Sequence, residues 1–567
     1  MAKVYPAAND QFGVALQPIR DVFVSDIRPA IIVLFAAVTF VLLIACANVA
    51  NLFLMRSAGR RKEIALRIAV GAGRSRIIAQ MLAESLILTS LGGVAGLALA
   101  IAAIRGLTRL IPHTMLAGAS VDLNAPALLF TAGVVAVSAF IFGVTPALQS
   151  AKADVQSELK DGARTTSAGI APSRWRGILA IAEVSLALVL LVGAGLMMKS
   201  LFRLLSVDAG IRTAHVLTMR IDLGTSQYDK NPAILNFWDR LLSRVRELPG
   251  VQVAALGTGV PLTGQHWRTD ITIEGMALPK PGSFPHPDVH IVSPAYVGAL
   301  GVRLLRGRTF TDMENENGPR VAMISSLLAR QFFSGRDPIG SRFLMGGASS
   351  QKAPKWLTVV GVVGGTKLYG LANPSRLEIY VPFHQTVTGS MTLLVKSAGD
   401  PSVLTSEIRS AVASIDKDQP VFAIATMEQY VRDSVSTRRI TFVVLGCFSA
   451  LALVLAGIGV YGVISYSVAQ RTQEIGIRIA LGAQSSDVLR MVIAQGAKIA
   501  AAGVLIGVAA SFCLTHLMAS LLFSVSSADP ATFAAVSGTI LFTALLASYM
   551  PARRALGVDP MRVLRSE

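Results

Sequence analysis

The stretch Glu63–Ala72 reads EIALRIAVGA, and Glu474–Ala483 reads EIGIRIALGA, 411 positions further on. Extended back to Arg60 and Arg471, the two align with eight identities in thirteen positions. Repetition at this separation marks an internal duplication, and a duplication constrains the fold before any element is assigned. Working outward, the alignment that joins Glu63 to Glu474 also joins the apolar blocks on either side of each stretch. Each copy therefore reads as an apolar block, the short charged stretch, and two further apolar blocks.

Seven such blocks occur, at about 30–47, 85–104, 127–148, 178–198, 440–466, 494–518 and 531–550. Each is near the ~20 residues a helix needs to cross a bilayer. With 52% hydrophobic and 15% charged residues, the chain sits far from soluble composition, where about a quarter is charged. The expectation is a multi-pass α-helical membrane protein of about seven spans. Between the fourth and fifth blocks, residues 199–439 have ordinary soluble composition and are long enough to carry their own core.

The basic residues give an orientation. Segments 56–76, 149–176, 467–490 and 551–567 hold seven, five, three and four Lys/Arg; segments 105–125 and 519–530 hold two and none. With seven spans, every basic-rich segment falls on one side, which is then cytosolic. The C-terminus is expected in the cytosol and the large domain outside it. The net charge of +18 is thereby accounted for in part by topology, without a nucleic-acid partner. Cys46, Cys447 and Cys513 all lie in apolar blocks, so no disulfide framework is expected in the large domain.

The expected organisation is an extracytoplasmic remnant (1–28), a three-span module (29–150), a cytosolic linker (151–176), a single span (177–200), an ectodomain (201–439) and a second three-span module (440–567). The chain reads as one and a half copies of a four-span unit, with 1–28 as the last stretch of a preceding ectodomain. Gly92-x-x-x-Gly96 falls on Gly503-x-x-x-Gly507, a matched pair of small-residue notches that let helix backbones approach closely in lipid. The third helices match through Pro126 and Pro530 and through Pro146-Ala147 and Pro551-Ala552.

The repeated stretch itself has helical spacing. Glu63 and Arg67, like Glu474 and Arg478, are i,i+4 neighbours, and Gly71-Ala72 and Gly482-Ala483 are suited to end a helix. Two readings fit: a helix lying on lipid headgroups, or one offered to a cytosolic partner. Glu84, its repeat mate Gln495, and Glu183 lie near cytosolic span ends, where helix-to-helix bonding is the expected role. No P-loop, H-E-x-x-H or G-x-S-x-G pattern occurs. His286 and His290 have a metal-like spacing, but their Pro-rich surroundings read as a loop, and no cofactor, metal or catalytic constellation is expected. In the ectodomain, 215–223, 252–259 and 356–363 read as strands and 232–251 and 401–416 as helices, an α+β domain; the Gly/Ser-rich 345–354 reads as a loop.

Several stretches resemble a known family. VSPAYVGALGVRLLRGRTFT (292–311), FSGRDPIGSRF (333–343) and LTVVGVVGGTKLYGL (357–371) are similar to the periplasmic core domain of MacB-type permeases. The E-I-x-x-R-x-A-x-G-A stretches and three-span triplets resemble the FtsX-like permease module, and two modules in one chain resemble the duplicated orphan permeases of that superfamily. The first span and first ectodomain of a duplicated member have no counterpart in the sequence. The resemblance implies a permease subunit in the inner membrane. A separate cytosolic P-loop ATPase dimer would close on ATP, and the spans would transmit that movement to the ectodomain. It implies docking of the ATPase on Glu63, Ile64, Arg67 and Ile68 and on Glu474, Ile475, Arg478 and Ile479, with a periplasmic adaptor or substrate on the far side. The alternative is a transmembrane regulator of an extracytoplasmic cell-wall hydrolase that transports nothing.

Overall fold

The computed structural model describes residues 27–59, 74–108, 124–151, 170–224, 227–265, 267–276, 284–346 and 355–556, with Leu16, Pro18, Ile19 and Asp21. The first docking stretch, Glu63–Ala72, and most of the 345–354 loop lie outside the described residues.

In chain order the helices and strands begin with α1 (Arg28–Gly59), α2 (Arg74–Thr108), α3 (Ala125–Ala151) and α4 (Ile170–Leu205). Then come β1 (Val216–Asp222), α5 (Asn231–Arg246), β2 (Val251–Gly257), β3 (Ile271–Ile273), β4 (Asp288–Val292), α6 (Tyr296–Ala299), β5 (Leu304–Gly307), β6 (Val321–Ser325) and α7 (Ser326–Phe332). These are followed by β7 (Arg342–Met345), β8 (Leu357–Val363), β9 (Glu378–Pro382), β10 (Ser390–Ser397), α8 (Thr405–Ile415), β11 (Val421–Thr426) and α9 (Met427–Ser434). The chain closes with α10 (Ser436–Gln470), α11 (Thr472–Ala480), α12 (Ser485–Leu514) and α13 (Pro530–Ala555). Two compact units result, one built around Arg203–Ser436 and the other from Arg20–Phe202 and Thr437–Glu567.

In the second unit, α1, α2, α4, α10, α12 and α13 are long and apolar enough to cross a membrane. The third block falls on α3, whose apolar stretch is described over Ala125–Val137. Over half of the most apolar window of α4 is buried, against none of that of α2. α4 is thus the most enclosed of these helices. Ser449 of α10 donates to the carbonyl of Leu190 at 2.8 Å, and Ser185 donates to the carbonyl of Gly503 on α12 at 2.9 Å. At the far end of α4, Lys199 bridges to Asp529 at 2.7 Å, and Asp529 caps α13 by accepting from the Thr532 backbone. Lys199 and Thr532 hold the Asp529 carboxyl down at about 2.

The ectodomain is a mixed sheet in the order β11-β1-β10-β2-β4-β9-β6-β8-β7-β3, with β5 added on β8. β4 runs parallel to β9 and β6 parallel to β8; the other pairings are antiparallel. α5 shows why the first βαβ unit forms. Pro232 starts the helix, and Ile234, Leu235, Trp238, Leu241, Leu242 and Val245 recur at helical spacing and are buried. Trp238 is fully enclosed and its indole N–H donates to the Thr388 carbonyl at 3.0 Å, so its one polar atom is satisfied. α5 ends at Arg246, short of the expected residue 251, because Val251 already belongs to β2.

Candidate partner-docking site

The second copy of the repeated stretch is α11. Its C-terminal end is fixed by a Schellman closure: the Ala483 N–H donates to the Arg478 carbonyl at 2.9 Å and the Gly482 N–H to that of Ile479 at 3.0 Å. Gly482 sits at φ +96°, where a side chain would strain the backbone, and this explains the Gly-Ala of the repeat. Gln484 and Asp487 then form a capping box that starts α12 at once. α11 is therefore a short, stiff helix clamped between α10 and α12.

Glu474 and Arg478 pair across one turn at 2.5 Å with both side chains about half exposed, and Arg478 also donates to the sulfur of Met491 at 3.1 Å. The apolar stripe differs from the sequence expectation. Ile475 is 1% exposed, packed with Val488 and Ala555, and Ile479 is half-buried against the same cluster. These two residues anchor α11 to the bundle and are turned away from any partner. The apolar residues that face outward are Ile477, 43% exposed, and Leu481, 83% exposed. Glu63, Ile64, Arg67 and Ile68 lie outside the described residues.

The glycine pair of α12 is a real packing notch. A Cβ on Gly503 would stand 2.5 Å from Val184 Cγ1, and one on Gly507 3.0 Å from Leu188 Cβ, so α4 lies directly on this face. At Gly92 and Gly96 of α2 nothing among the described residues comes within 4 Å. Gln495 accepts from Ser467 at 3.1 Å, a helix-to-helix bond as expected. Glu183, fully buried, makes no such bond among the described residues, against the expectation.

In the ectodomain His290 is on β4, not in a loop; it is buried and stacked on Tyr380 with ring centroids 4.7 Å apart. Burial holds its imidazole below the usual histidine range. His286 is half exposed and pairs with Asp270, so the two histidines serve separate contacts. Beside them Glu378 is buried and accepts from Thr366 Oγ1 at 2.7 Å and Tyr380 OH at 3.0 Å. Burial raises its carboxyl to about 7 against the opposing effect of those bonds. A cleft of about 410 Å³ lined by Arg220, Gln265, Trp267, Thr388, Ser390 and Thr392, among others, opens on the same sheet. No composition signal marked it, because its residues come from four separate stretches.

Comparison with known proteins settles what these parts are. The family model for the FtsX-like permease C-terminal domain matches twice, at residues 35–155 and 446–560, and that for the MacB-like periplasmic core domain matches residues 177–411. The chain is an ABC transporter permease of the MacB/FtsX type. Among its relatives is an uncharacterized ABC transporter permease, YknZ, of Bacillus subtilis, 26% identical over 289 residues, covering 49% of this chain and 70% of that one. The macrolide export ATP-binding/permease protein MacB of Burkholderia cenocepacia is 28% identical over 293 residues, 49% of this chain and 41% of that protein. The pyoverdine export ATP-binding/permease protein PvdT of Pseudomonas putida is 26% identical over 277 residues, 46% and 40% respectively. The match thus spans about two-fifths of the length of these two exporters. A crystal structure of the periplasmic region of MacB from Actinobacillus actinomycetemcomitans covers 40% of this chain and 95% of its own, at 14% identity and a TM-score of 0.27. The permease is a multi-pass membrane protein whose large domain is, by family, periplasmic.

Proposed function

We propose that this permease is the membrane subunit of an efflux complex driven by mechanotransmission, with a cytosolic P-loop ATPase dimer docking on α11 and on its repeat at Glu63–Ala72. The observation that carries the reading is the build of α11. One face is locked into the bundle by Ile475, both ends are tied, and the other face presents Glu474, Arg478, Ile477 and Leu481. A headgroup-lying helix has no need of closure at both ends, whereas a lever that takes up the movement of a partner does. The two relatives named for export join an ATP-binding part to the permease, which supports an ATP-binding partner for α11. The basic-rich segments favour the cytosolic side for α11 and the C-terminus. The cleft beside Arg220 and Trp267 is where a periplasmic substrate or adaptor would be held.

The test is affinity purification of the tagged chain from its own membranes in mild detergent, with retained proteins identified by mass. A P-loop ATPase should be retained by the wild type and lost when Ile477 and Leu481 are both replaced by Ser. Retention by that variant would remove α11 from the docking site. Unchanged substrate retention in cells lacking the chain, together with a cell-wall defect, would favour regulation of a hydrolase over efflux.

A further inference from the structure

Inside the membrane unit, where α1, α4 and α10 meet, lie buried side-chain oxygens with no donor among the described residues, both of Glu183 and that of Asn51. Glu183 of α4 is fully buried and neither carboxyl oxygen has a hydrogen-bond partner. Its Oε2 lies over the bare backbone of Gly459 on α10: a Cβ there would stand 1.7 Å from that oxygen and 3.3 Å from Oδ1 of Asn48 on α1. Carboxyl and amide oxygen therefore face one notch. The orientation of the amide is fixed by its nitrogen, which donates to the carbonyls of Ile44 at 3.3 Å and Leu455 at 3.0 Å. Both of its protons are spent there, leaving the oxygen to face Glu183. One turn along α1, Asn51 holds a further buried side-chain oxygen without a partner.

Buried polar atoms are nearly always bonded, so an acceptor set of this kind is missing a hydrogen. Among the described residues no cation on the packed elements bonds to Glu183. Arg176, two turns earlier on α4, lies over the Tyr466 ring of α10 at 3.7 Å, and Arg554 of α13 donates to the hydroxyl of Tyr461 on α10 at 2.9 Å. From α12 it is Gly503 that faces the neighbouring Val184, and Lys498 on that helix is exposed.

We propose that Glu183 is a proton-binding site, carried as the neutral acid with its O–H donated to the side-chain oxygen of Asn48 across the junction of α1, α4 and α10. Proton and carboxylate combine to the acid with nothing else exchanged. Removal of the proton leaves a carboxylate facing an amide oxygen in a buried seam, and the seam has to admit water or part. Proton occupancy is thereby linked to the closure of α1 on α4 and α10. The inference stands on this geometry and is independent of ATPase docking.

The test is infrared spectroscopy of the whole chain in lipid nanodiscs at neutral pH. In a Glu378→Gln background, which removes the other buried carboxyl held high, a protonated-carboxyl carbonyl band is expected and is lost when Glu183→Gln is added. Glu183→Gln keeps the shape and a donor toward Asn48, so the thermal unfolding midpoint should match that of its parent. Asn48→Leu, which removes the acceptor, should keep the band and shift it to higher frequency. Three results overturn the proposal: a spectrum unchanged by Glu183→Gln, a band seen only after sodium and potassium are removed, or no frequency shift in Asn48→Leu.

Discussion

The two permease modules share a sequence pattern and differ in what their glycines touch. Gly503 and Gly507 of α12 are filled by Val184, Ser185 and Leu188 of α4, at distances that leave no room for a methyl group. Gly92 and Gly96 of α2, at the same repeat offset, meet nothing among the described residues. A small-xxx-small notch is therefore a capacity for close approach, and only a neighbouring helix turns it into a contact. The same holds for the third helices: Asp529 caps α13 and bridges Lys199, whereas Asn124 caps α3 by accepting from the Ala127 N–H at 3.1 Å.

The comparison can be broken most sharply at the anchor of α11. Ile475→Ala removes a buried side chain and should cost about 2–5 kcal/mol, read as a lowered unfolding midpoint in detergent. An equal loss from Ile64→Ala would show that the first copy is anchored alike. Next, Gly503→Val drives a side chain into Val184 and should destabilise by about 1–3 kcal/mol, while Gly92→Val leaves the midpoint where it was. A matching loss at Gly92 would mean that its notch is occupied in the membrane.

Smaller again is the cap. Asp529→Ala should cost about 0.5–2 kcal/mol, more than Asn124→Ala, since only the former also loses an ion pair. Because the Asp529 carboxyl is depressed to about 2, its contribution is complete above the usual aspartate value and disappears as pH falls from about 4 through 2. Unfolding midpoints of Asp529→Asn and wild type should therefore converge over that interval. The least stability effect belongs to Glu474→Gln and Arg478→Gln. An exposed i,i+4 pair contributes about 0.3–0.5 kcal/mol, so a large loss of ATPase retention with an unmoved midpoint would assign the pair to docking.

What the sequence made legible follows the physics of each element. The spans were plain because α1 and α10 must be apolar on every side in lipid, and β1, α5 and β2 because alternation and the Ile234-Trp238-Leu241-Val245 spacing survive any context. The end of α11 could be read from Gly482, since only a left-handed residue closes that turn. Three things needed coordinates. Ile475 and Ile477 are equally apolar, and their opposite fates depend on Val488 and Ala555, which lie on two other helices. His290 looked like loop because Pro285 and Pro287 precede it, yet pairing with β9 draws it into a strand. Glu183 looked like a residue bonded across helices, but its neighbours on α1 and α10 offer it only oxygen and bare backbone.

One joint in the ectodomain sheet has a mechanical meaning. β2 and β4 are paired in register only at Gly257 and Val292, whereas β1 and β10 are paired along seven residues. The Tyr296 ring lies against Gly257 so closely that a Cβ would be 2.2 Å from it. Strands zipped over their length resist shear together; a single rung resists little by itself. Under load along the sheet, this rung, held by the backbone bonds from Thr258 to Ile291 and from Ser293 to Leu256 at 2.9 Å each, would yield before the longer β1–β10 seam, and the tyrosine pressed on the glycine would stiffen it.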